Sequence, residues 1–99
     1  MALTRLQAAE MGPFGVNVNS VLPGHTLTDR QSHLAQIRAD RESISVEQAL
    51  SEQAEKVALK RIADPSEIGD VVAFLCSERA SFVTGTSLLV YGGATHGLG

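Results

Sequence analysis

The chain has 99 residues and a formal net charge of −3, and its composition is 43% apolar and only 4% aromatic. This length gives one small domain, near the lower limit for a self-sufficient core. We expect neither nucleic acid nor a membrane as a partner, because there is no basic patch and no apolar run that could span a bilayer. The single cysteine cannot form an internal disulfide, which is typical of a cytoplasmic protein.

The first predicted element is a short helix over residues 2–11. Apolar residues recur on one side of it at helical spacing, and Gly12-Pro13 stops it. We expect Leu3, Leu6 and Met11 to point inward.

A valine-rich strand is predicted next, over Val16 to Leu22, with Asn17 and Asn19 alternating between the valines. Pro23-Gly24 ends it abruptly. A run of this kind is typical of a central strand that is buried on both faces. Such a strand needs neighbours that the rest of the chain does not supply.

Two helices are predicted between residues 29 and 60. Thr28 can cap a helix over residues 29–41, and Ser45 can cap a second one that reaches about Lys60. The second helix has a narrow apolar stripe, formed by Val46, Ala49, Leu50, Ala54 and Val57. Because this part of the chain is the most polar, we expect it to cover a site as an insertion or lid.

The last predicted elements are a helix and a strand within residues 64–93. Asp64 and Glu67 have the spacing of a capping box at the start of the helix. Its apolar face consists of Ile68, Val71, Val72, Leu75 and Cys76. Ser87 to Tyr91 then forms a short apolar strand, closed by Gly92-Gly93.

This order of elements predicts an α/β fold. Two strands joined by a long helical crossover should be parallel, with a right-handed connection. A parallel sheet of only two strands is nearly unknown, since parallel sheets need more strands and two covered faces. We therefore expect residues 1–99 to form a single partial domain that is incomplete as a free-standing unit.

The best candidate site is PGHTLT, which runs from Pro23 to Thr28 and follows the first strand. Ligands of open α/β sheets bind at the carboxyl ends of strands. Gly24 would allow a ligand to come close, and the hydroxyls of Thr26 and Thr28 could bond a phosphate or an amide. The simpler interpretation, a Pro-Gly turn followed by a helix cap, is favoured by spacing alone.

Other reactive residues give weaker signals. His25, His33 and His96 do not have the spacing of metal ligands, and His25 is more simply a solvated loop residue than part of the cleft. Cys76 is expected to be buried and inert on its helix. The residues alone therefore predict no metal site and no catalytic pair.

Two runs of the sequence resemble the carboxyl-terminal part of short-chain dehydrogenases/reductases: GVNVNSVLPGHTLT and DPSEIGDVVAFLCSERASFVTGTSLLVYGG. The resemblance covers essentially all 99 residues, through an asparagine and a Pro-Gly after a strand, a Pro-x-Glu-Ile helix start, Ala-Ser-x-x-Thr-Gly and a closing Gly-Gly. It implies part of a Rossmann-type doubly wound parallel sheet, with about two strands and four to five helices.

The resemblance also implies a site for NAD or NADP. In such enzymes the turn at Pro23 and Gly24 faces the nicotinamide. The backbone at Thr26 holds the carboxamide, and Thr28 bonds the carboxamide or the pyrophosphate. Asn19 resembles the structural strand asparagine of the family.

Two longer segments resemble parts of the family with other roles. Residues 29–60 are similar to the variable segment that covers the substrate. Residues 66–99, with Phe74, Phe82 and the tail from Gly92 to Gly99, are similar to the surface through which the subunits of these enzymes associate, which implies a homo-oligomer.

The catalytic motifs of the family are absent from these 99 residues. There is no TGxxxGxG turn and no Tyr-x-x-x-Lys, which in the family belongs to the helix that residues 2–11 resemble. The only tyrosine, Tyr91, has no lysine four residues later and stands where the family usually has aspartate. We therefore expect a carboxyl-terminal portion of an enzyme that interconverts alcohols and carbonyl compounds, inactive by itself. The alternatives are a non-enzymatic module that pairs with full-length subunits, or a truncated reading frame without a separate role.

Overall fold

The computed structural model describes residues 1–93. In chain order the elements are α1 (Ala2–Met11), β1 (Ser20–Pro23), α2 (Asp29–Glu42), α3 (Val46–Glu55), α4 (Pro65–Leu75) and β2 (Ser87–Val90), with single 3-10 turns at Gly12–Phe14 and Glu78–Ala80. The two strands form a parallel sheet, with Ser20 opposite Ser87 and Pro23 opposite Val90. The predicted α/β class and parallel pairing are confirmed. None of the helices in this part of the chain is both long and apolar enough to cross a bilayer.

The helices begin where the capping signals placed them. The hydroxyls of Thr28 and Ser45 each accept a bond from the backbone N–H three residues later, at 3.3 and 3.0 Å. At the start of α4 the carboxylate of Asp64 accepts from Ser66 N at 2.9 Å, while Glu67 Oε1 accepts from Asp64 N at 3.0 Å. These bonds satisfy N–H groups that have no partner within a helix.

The second covering helix, in contrast, is shorter than predicted. The structure ends α3 at Glu55, and Lys60 has a positive φ of 60° that no helix can contain. Of its predicted apolar stripe, Ala49 is buried within the helix, whereas Val57 is buried in the segment that follows it.

The first strand begins later than predicted, at Ser20 and not at Val16. The preceding residues, 16–19, belong to no strand, and hydrogen bonds that involve side chains connect them to the rest of the chain. Val18 N donates to the hydroxyl of Thr84 at 3.0 Å, and the Asn17 amide donates to a carbonyl in the 3-10 turn region at 3.2 Å. Polar side chains therefore align this segment with the chain before β2.

Asn19 lies between the segment that is held by side-chain bonds and the first residue of β1. Its Nδ2 donates to Val83 O at 3.0 Å, and its Oδ1 accepts from both the N–H and the hydroxyl of Thr86, at 3.1 and 2.8 Å. The next bond, Ser20 N to Thr86 O at 2.9 Å, belongs to the backbone. Asn19 thus sets the register in which β1 and β2 pair.

The buried residues of the described structure are small. The buried apolar side chains are Ala8, Ala35, Ala39, Ala49, Val57 and Ala80. On α1 the residues that face inward are Thr4 and Ala8, and the Thr4 hydroxyl bonds the hydroxyl of Ser20. The prediction for the larger residues of this helix was wrong, because Leu3 and Leu6 are 63% and 60% exposed and Met11 is also exposed. Within residues 1–93 no element covers that side of α1.

Cys76 likewise departs from its prediction as a buried thiol, since it is exposed. Helix α4 ends at Leu75, so Cys76 is its C-cap, with its N–H bonded to Val72 O at 3.0 Å. Leu75 and Ile68 are half-buried on the inner side of the helix, and Cys76 lies beyond that stripe.

The chain exposes more surface than a compact protein of its size. Its radius of gyration is 16.9 Å, whereas 99 residues in a compact domain give about 13 Å. Its accessible surface is 6900 Å², whereas a compact protein of this mass has about 5,400 Å². Several apolar faces are therefore left uncovered by the described residues.

Candidate functional site

An open groove of about 700 Å³ lies at the carboxyl end of β1. Its lining residues are Pro23, Gly24, Thr26, Thr28, Gln31, Pro65, Ile68, Gly69, Val72 and Ala73. The loop after β1 and the start of α2 form one side, and one face of α4, from Pro65 to Ala73, forms the other. All four residues predicted to bind a cofactor therefore line the same groove.

The loop along this groove is held by backbone bonds. Thr26 lies in an isolated parallel bridge with Ala63, in which Leu27 N donates to Ala63 O at 2.8 Å and Ala63 N donates to His25 O at 3.1 Å. The Thr26 hydroxyl donates to Gly24 O at 3.1 Å. These bonds fix the loop against the segment that leads into α4.

Thr28 is both a helix cap and a lining residue of the groove. Its oxygen accepts the capping bond of α2 from Gln31 N at 3.3 Å. A hydroxyl has one donor and two lone pairs, so its O–H can still donate to a ligand. The interpretation as a cap is confirmed, and it is compatible with a binding role.

The structure gives Gly24 a role that differs from the predicted approach of a ligand. A Cβ on Gly24 would lie 2.8 Å from Tyr91 Cβ and 2.9 Å from Tyr91 Cα. Gly24 N donates to Val90 O at 2.9 Å, which holds the two strand ends together. Glycine is therefore required here because the chain itself approaches.

Beyond β2, two glycines with positive φ join the strand to the end of the helical segment. Gly92 and Gly93 have φ values of 60° and 75°, and a Cβ on either would lie 2.7 Å from the side chain of Val57 or Ala58, respectively. Gly92 O accepts from Leu59 N at 3.0 Å. This contact anchors the residues after α3 to the end of β2.

A paired charge fixes the beginning of α4, which forms one wall of the groove. Arg61 donates two bonds to the carboxylate of Glu67, at 2.6 and 2.7 Å. The side-chain bonds from Arg61, followed by the bond from Asp64 N, lower the pKa of Glu67 to about 2. The same pair raises the pKa of Arg61, and the backbone bond from Ser66 lowers the pKa of Asp64.

His25 is half-buried, so the prediction of a solvated loop residue was wrong. It does not line the groove but a separate cavity of about 110 Å³, together with Arg61, Glu67 and Tyr91. Its Nδ1 lies 3.0 Å from Gln53 Nε2 of α3. Folding of α3 against the loop after β1 causes this burial.

Sequence reasoning missed Gln31 and Gln53. Gln31 lines the groove, and Gln53 Nε2 donates to Gln31 Oε1 at 3.2 Å. The position of Gln31 in the first turn of a helix beside the candidate site was a usable signal. Nothing in the sequence indicated Gln53, because its contacts depend on how α2 and α3 fold together.

The remaining candidates lie apart from the groove. His33 is exposed on α2, and His96 lies outside the described residues. Across residues 1–93, no group of three His, Cys, Asp or Glu side chains could hold a metal ion.

Comparisons with known proteins agree with this architecture. A family model described as enoyl-(acyl carrier protein) reductase matches residues 1–95. The chain belongs to the short-chain dehydrogenase/reductase family. Both the predicted family and the predicted Rossmann-type sheet are confirmed.

Three relatives show the extent of the match. Oxidoreductase UcpA of Escherichia coli O157:H7 is 36% identical over 95 residues, which are 96% of this chain and 35% of the relative. A short-chain dehydrogenase family protein of Francisella tularensis has a TM-score of 0.88 at 34% identity, covering 93% of this chain and 38% of that one. L-sorbose reductase of Gluconobacter frateurii, complexed with NADPH and L-sorbose, has a TM-score of 0.88 at 30% identity over 98% of this chain and 37% of that one. The chain thus spans about a third of the length of the curated relatives that it matches.

Proposed function

We propose that this chain supplies the nicotinamide end of a dinucleotide site to an oxidoreductase that interconverts alcohols and carbonyl compounds. The observation that carries the proposal is the common groove lined by Pro23, Gly24, Thr26 and Thr28, at the strand end where open α/β sheets bind ligands. Membership of a family of oxidoreductases and a structural relative with bound NADPH support it. Whether the cofactor is NAD or NADP is left open by these residues.

The chemistry of the lining residues fits such a ligand. The apolar wall formed by Ile68 and Val72 suits the flat face of a nicotinamide ring. The hydroxyl of Thr28 can donate to a carboxamide oxygen or to a phosphate oxygen while still capping α2. Bound there, a nicotinamide cofactor would supply the hydride chemistry.

By itself the 99-residue chain is proposed to bind the cofactor weakly and to leave the reaction uncatalysed. An alcohol or carbonyl substrate needs a group that gives or takes a proton at its oxygen. The chain contains no Tyr-x-x-x-Lys, and its only tyrosine, Tyr91, packs against Gly24 at the strand end. We expect no carbonyl-dependent oxidation of NADPH above the buffer blank, and steady turnover by the purified chain would contradict this.

Cofactor binding is best tested at Thr28, where two substitutions separate the cap from the ligand contact. Thr28→Ser keeps the acceptor and the O–H, so binding should be unchanged. Thr28→Asp keeps a good cap but has no hydroxyl donor and repels phosphate, so binding should weaken roughly 10- to 100-fold, the range of a bond to a charged group. Chemical-shift perturbation by NADPH and NADH measures weak binding of this kind. Equal binding by both variants, or no perturbation of the groove in the unmutated chain, would overturn the proposal.

A second candidate function is subunit pairing through residues 66–99, which would operate with or without catalysis. Phe82 is 101% exposed, and Phe74 on α4 is 47% exposed. Contiguous exposed apolar surface is typical of interaction sites, and both phenylalanines belong to the segment that resembles the subunit-contact surface of the family. The part of this predicted surface after residue 93 lies outside the described residues.

The pairing candidate predicts different behaviour for two exposed phenylalanines. Phe82→Ser should weaken self-association, measured by light scattering across a dilution series. Phe14→Ser is the matched control, because Phe14 is 78% exposed but lies outside residues 66–99. An unchanged dissociation constant for Phe82→Ser, or an equal loss in both variants, would exclude this surface.

A further inference from the structure

Three half-buried polar side chains from separate parts of the chain meet beside the groove. They are His25 in the loop after β1, Gln31 in the first turn of α2 and Gln53 on α3. Gln53 Nε2 lies 3.0 Å from His25 Nδ1 and 3.2 Å from Gln31 Oε1. We call this arrangement the Gln53 latch.

With the Gln53 amide oriented as in the structure, the bonds of the latch specify the protonation state of His25. An amide nitrogen can only donate, and the two hydrogens of Gln53 Nε2 suffice for both neighbours. His25 Nδ1 must then be an acceptor, so the imidazole is neutral and carries its proton on Nε2. A protonated imidazole would bring two donors face to face at the Nδ1 contact.

The latch lies between the helical segment and the groove. Gln31 lines the groove directly, and His25 adjoins Thr26, another lining residue. The far end of the helical segment is anchored separately, by the bond from Leu59 N to Gly92 O at 3.0 Å. Breaking the latch would therefore loosen the groove side of α2 and α3 while the other end stays attached.

We propose that the Gln53 latch is a pH-sensitive clasp that holds α2 and α3 against the loop of the groove while His25 is neutral and releases them when His25 is protonated. The bonds of the latch involve only this chain and do not require a dinucleotide. Only the consequence of release for the access of a dinucleotide to the groove rests on the proposed function. The clasp also makes Gln53 a positioning residue for Gln31.

The arginine and glutamate side chains around the latch keep their charge over the relevant pH range. Arg61, Glu67 and Tyr91 share the cavity of His25, and Arg38 and Lys56 line the surface around Gln53. With its pKa lowered to about 2, Glu67 stays ionised between pH 5.5 and 7.5. Arginine is always charged in proteins, and histidine is the side-chain type whose unperturbed charge change falls between pH 5 and 8.

The first test uses the unmutated chain and does not involve cofactor. Nitrogen-15 NMR of the histidine rings at pH 8, with His25 assigned from a His25→Asn variant, should show Nδ1 of His25 as the unprotonated nitrogen. A proton on Nδ1 at this pH would overturn the proposal, because the bond from Gln53 would then be impossible.

The second test measures the release itself. Between pH 7.5 and 5.5, hydrogen exchange of the α3 amides, corrected for the intrinsic rate, should accelerate roughly 2- to 10-fold, as expected for one lost hydrogen bond. Gln53→Glu should reverse the trend, because a carboxylate accepts from protonated His25 and protection then rises at the lower pH. Since neither measurement uses a dinucleotide, its result is independent of whether the groove binds one.

The matched control is His33→Asn, which removes an exposed histidine of α2 outside the latch. It should keep the pH response of the unmutated chain, whereas His25→Asn should abolish it. A response that survives in His25→Asn, is lost in His33→Asn, or is absent from the unmutated chain would overturn the proposal. An absent response in the unmutated chain would mean that the side-chain amides of Gln31 and Gln53 rotate, so that the Gln53 carbonyl accepts a bond from the protonated imidazole.

Discussion

The helical pair α2–α3 and the β1–β2 sheet are stabilised in different ways. The helices have a small core of their own, Ala35, Ala39 and Ala49, and Arg38 of α2 bridges them by bonding Glu52 of α3. The sheet instead depends on Asn19, on the Thr84 and Thr86 hydroxyls and on glycines where backbones touch. Its apolar faces stay partly open, with Leu88 and Leu89 40% and 37% exposed on opposite sides. The helical pair therefore has a small core of its own, although Leu34 and Ile37 of α2 remain 44% and 47% exposed. The sheet has precise backbone contacts but, within residues 1–93, lacks packing partners for its apolar side chains.

The largest expected effect is at Gly92, where the chain after β2 packs closely against the side chain of Val57. Gly92→Ala should destabilise the chain by about 2–4 kcal/mol, since it adds the strain of a positive φ to overpacking in the interior. The added Cβ would lie 2.7 Å from Val57 Cγ1, and Val57 is only 3% exposed. Urea unfolding followed by circular dichroism measures the loss.

The control for this substitution is Gly69→Ala in α4. No atom lies within 4 Å of a Cβ at this position. Helix propensity predicts a gain of about 0.5–1 kcal/mol there. If Gly92→Ala were as stable as Gly69→Ala, the chain after β2 would not depend on the close approach of Gly92 to Val57.

The next effect concerns the polar bonds that set the register of the sheet. Asn19→Ala removes one donor and one acceptor and leaves Val83 O and Thr86 N without these partners, so it should cost about 1–3 kcal/mol. Asn17→Ala is the milder counterpart, because the bonds of Asn17 are longer, at 3.2 and 3.4 Å, and one of them is exposed. Equal midpoints in urea for the two variants would contradict the role assigned to Asn19.

The same contrast explains which features could be predicted from the sequence. The caps at Thr28, Ser45 and Asp64 were predictable because each depends on residues three positions apart. The parallel pairing was predictable because the crossover is long. The family and its candidate groove followed from the order of several short motifs.

Features that depend on distant partners were predicted poorly. The spacing of Leu3 and Leu6 predicted that both are core residues. Burial also requires an opposing surface, and residues 12–93 provide none on that side of α1. The start of β1 moved to Ser20 because asparagine and threonine side chains replaced backbone bonds, which strand propensity does not detect. His25 was placed in solvent for the same reason, since only the folded position of Gln53 encloses it.

A smaller effect is expected from the ion pair that fixes α4 against the groove. The folded pKa of Glu67 is about 2, below the ordinary 4.5, so its stabilising contribution is complete above pH 4.5 and is lost as the pH falls toward 2. Glu67→Gln should flatten this part of the stability profile, measured as the melting temperature between pH 2 and 6. Glu10→Gln, on the exposed side of α1, should leave the profile unchanged. An identical acid response in Glu67→Gln and the unmutated chain would show that Arg61 does not stabilise the carboxylate.

The smallest effect should come from the charged bridge of the helical pair. Arg38→Met keeps the apolar stem but removes the bond to Glu42 within α2 and the bond to Glu52, which links α2 to α3 on a partly exposed surface. Exposed ion pairs are weak and screened, so hydrogen exchange of the α2 and α3 amides should rise slightly at low salt and scarcely at high salt. Arg41→Met is the control, because Arg41 is 73% exposed and lies 3.6 Å from Glu42 without bridging the helices. Amides of β1 and β2 should not respond to either variant, since the sheet is held by its own contacts. A response that spreads into the sheet would mean that the helical pair and the sheet unfold as one unit. The distinction between these two regions would then be wrong.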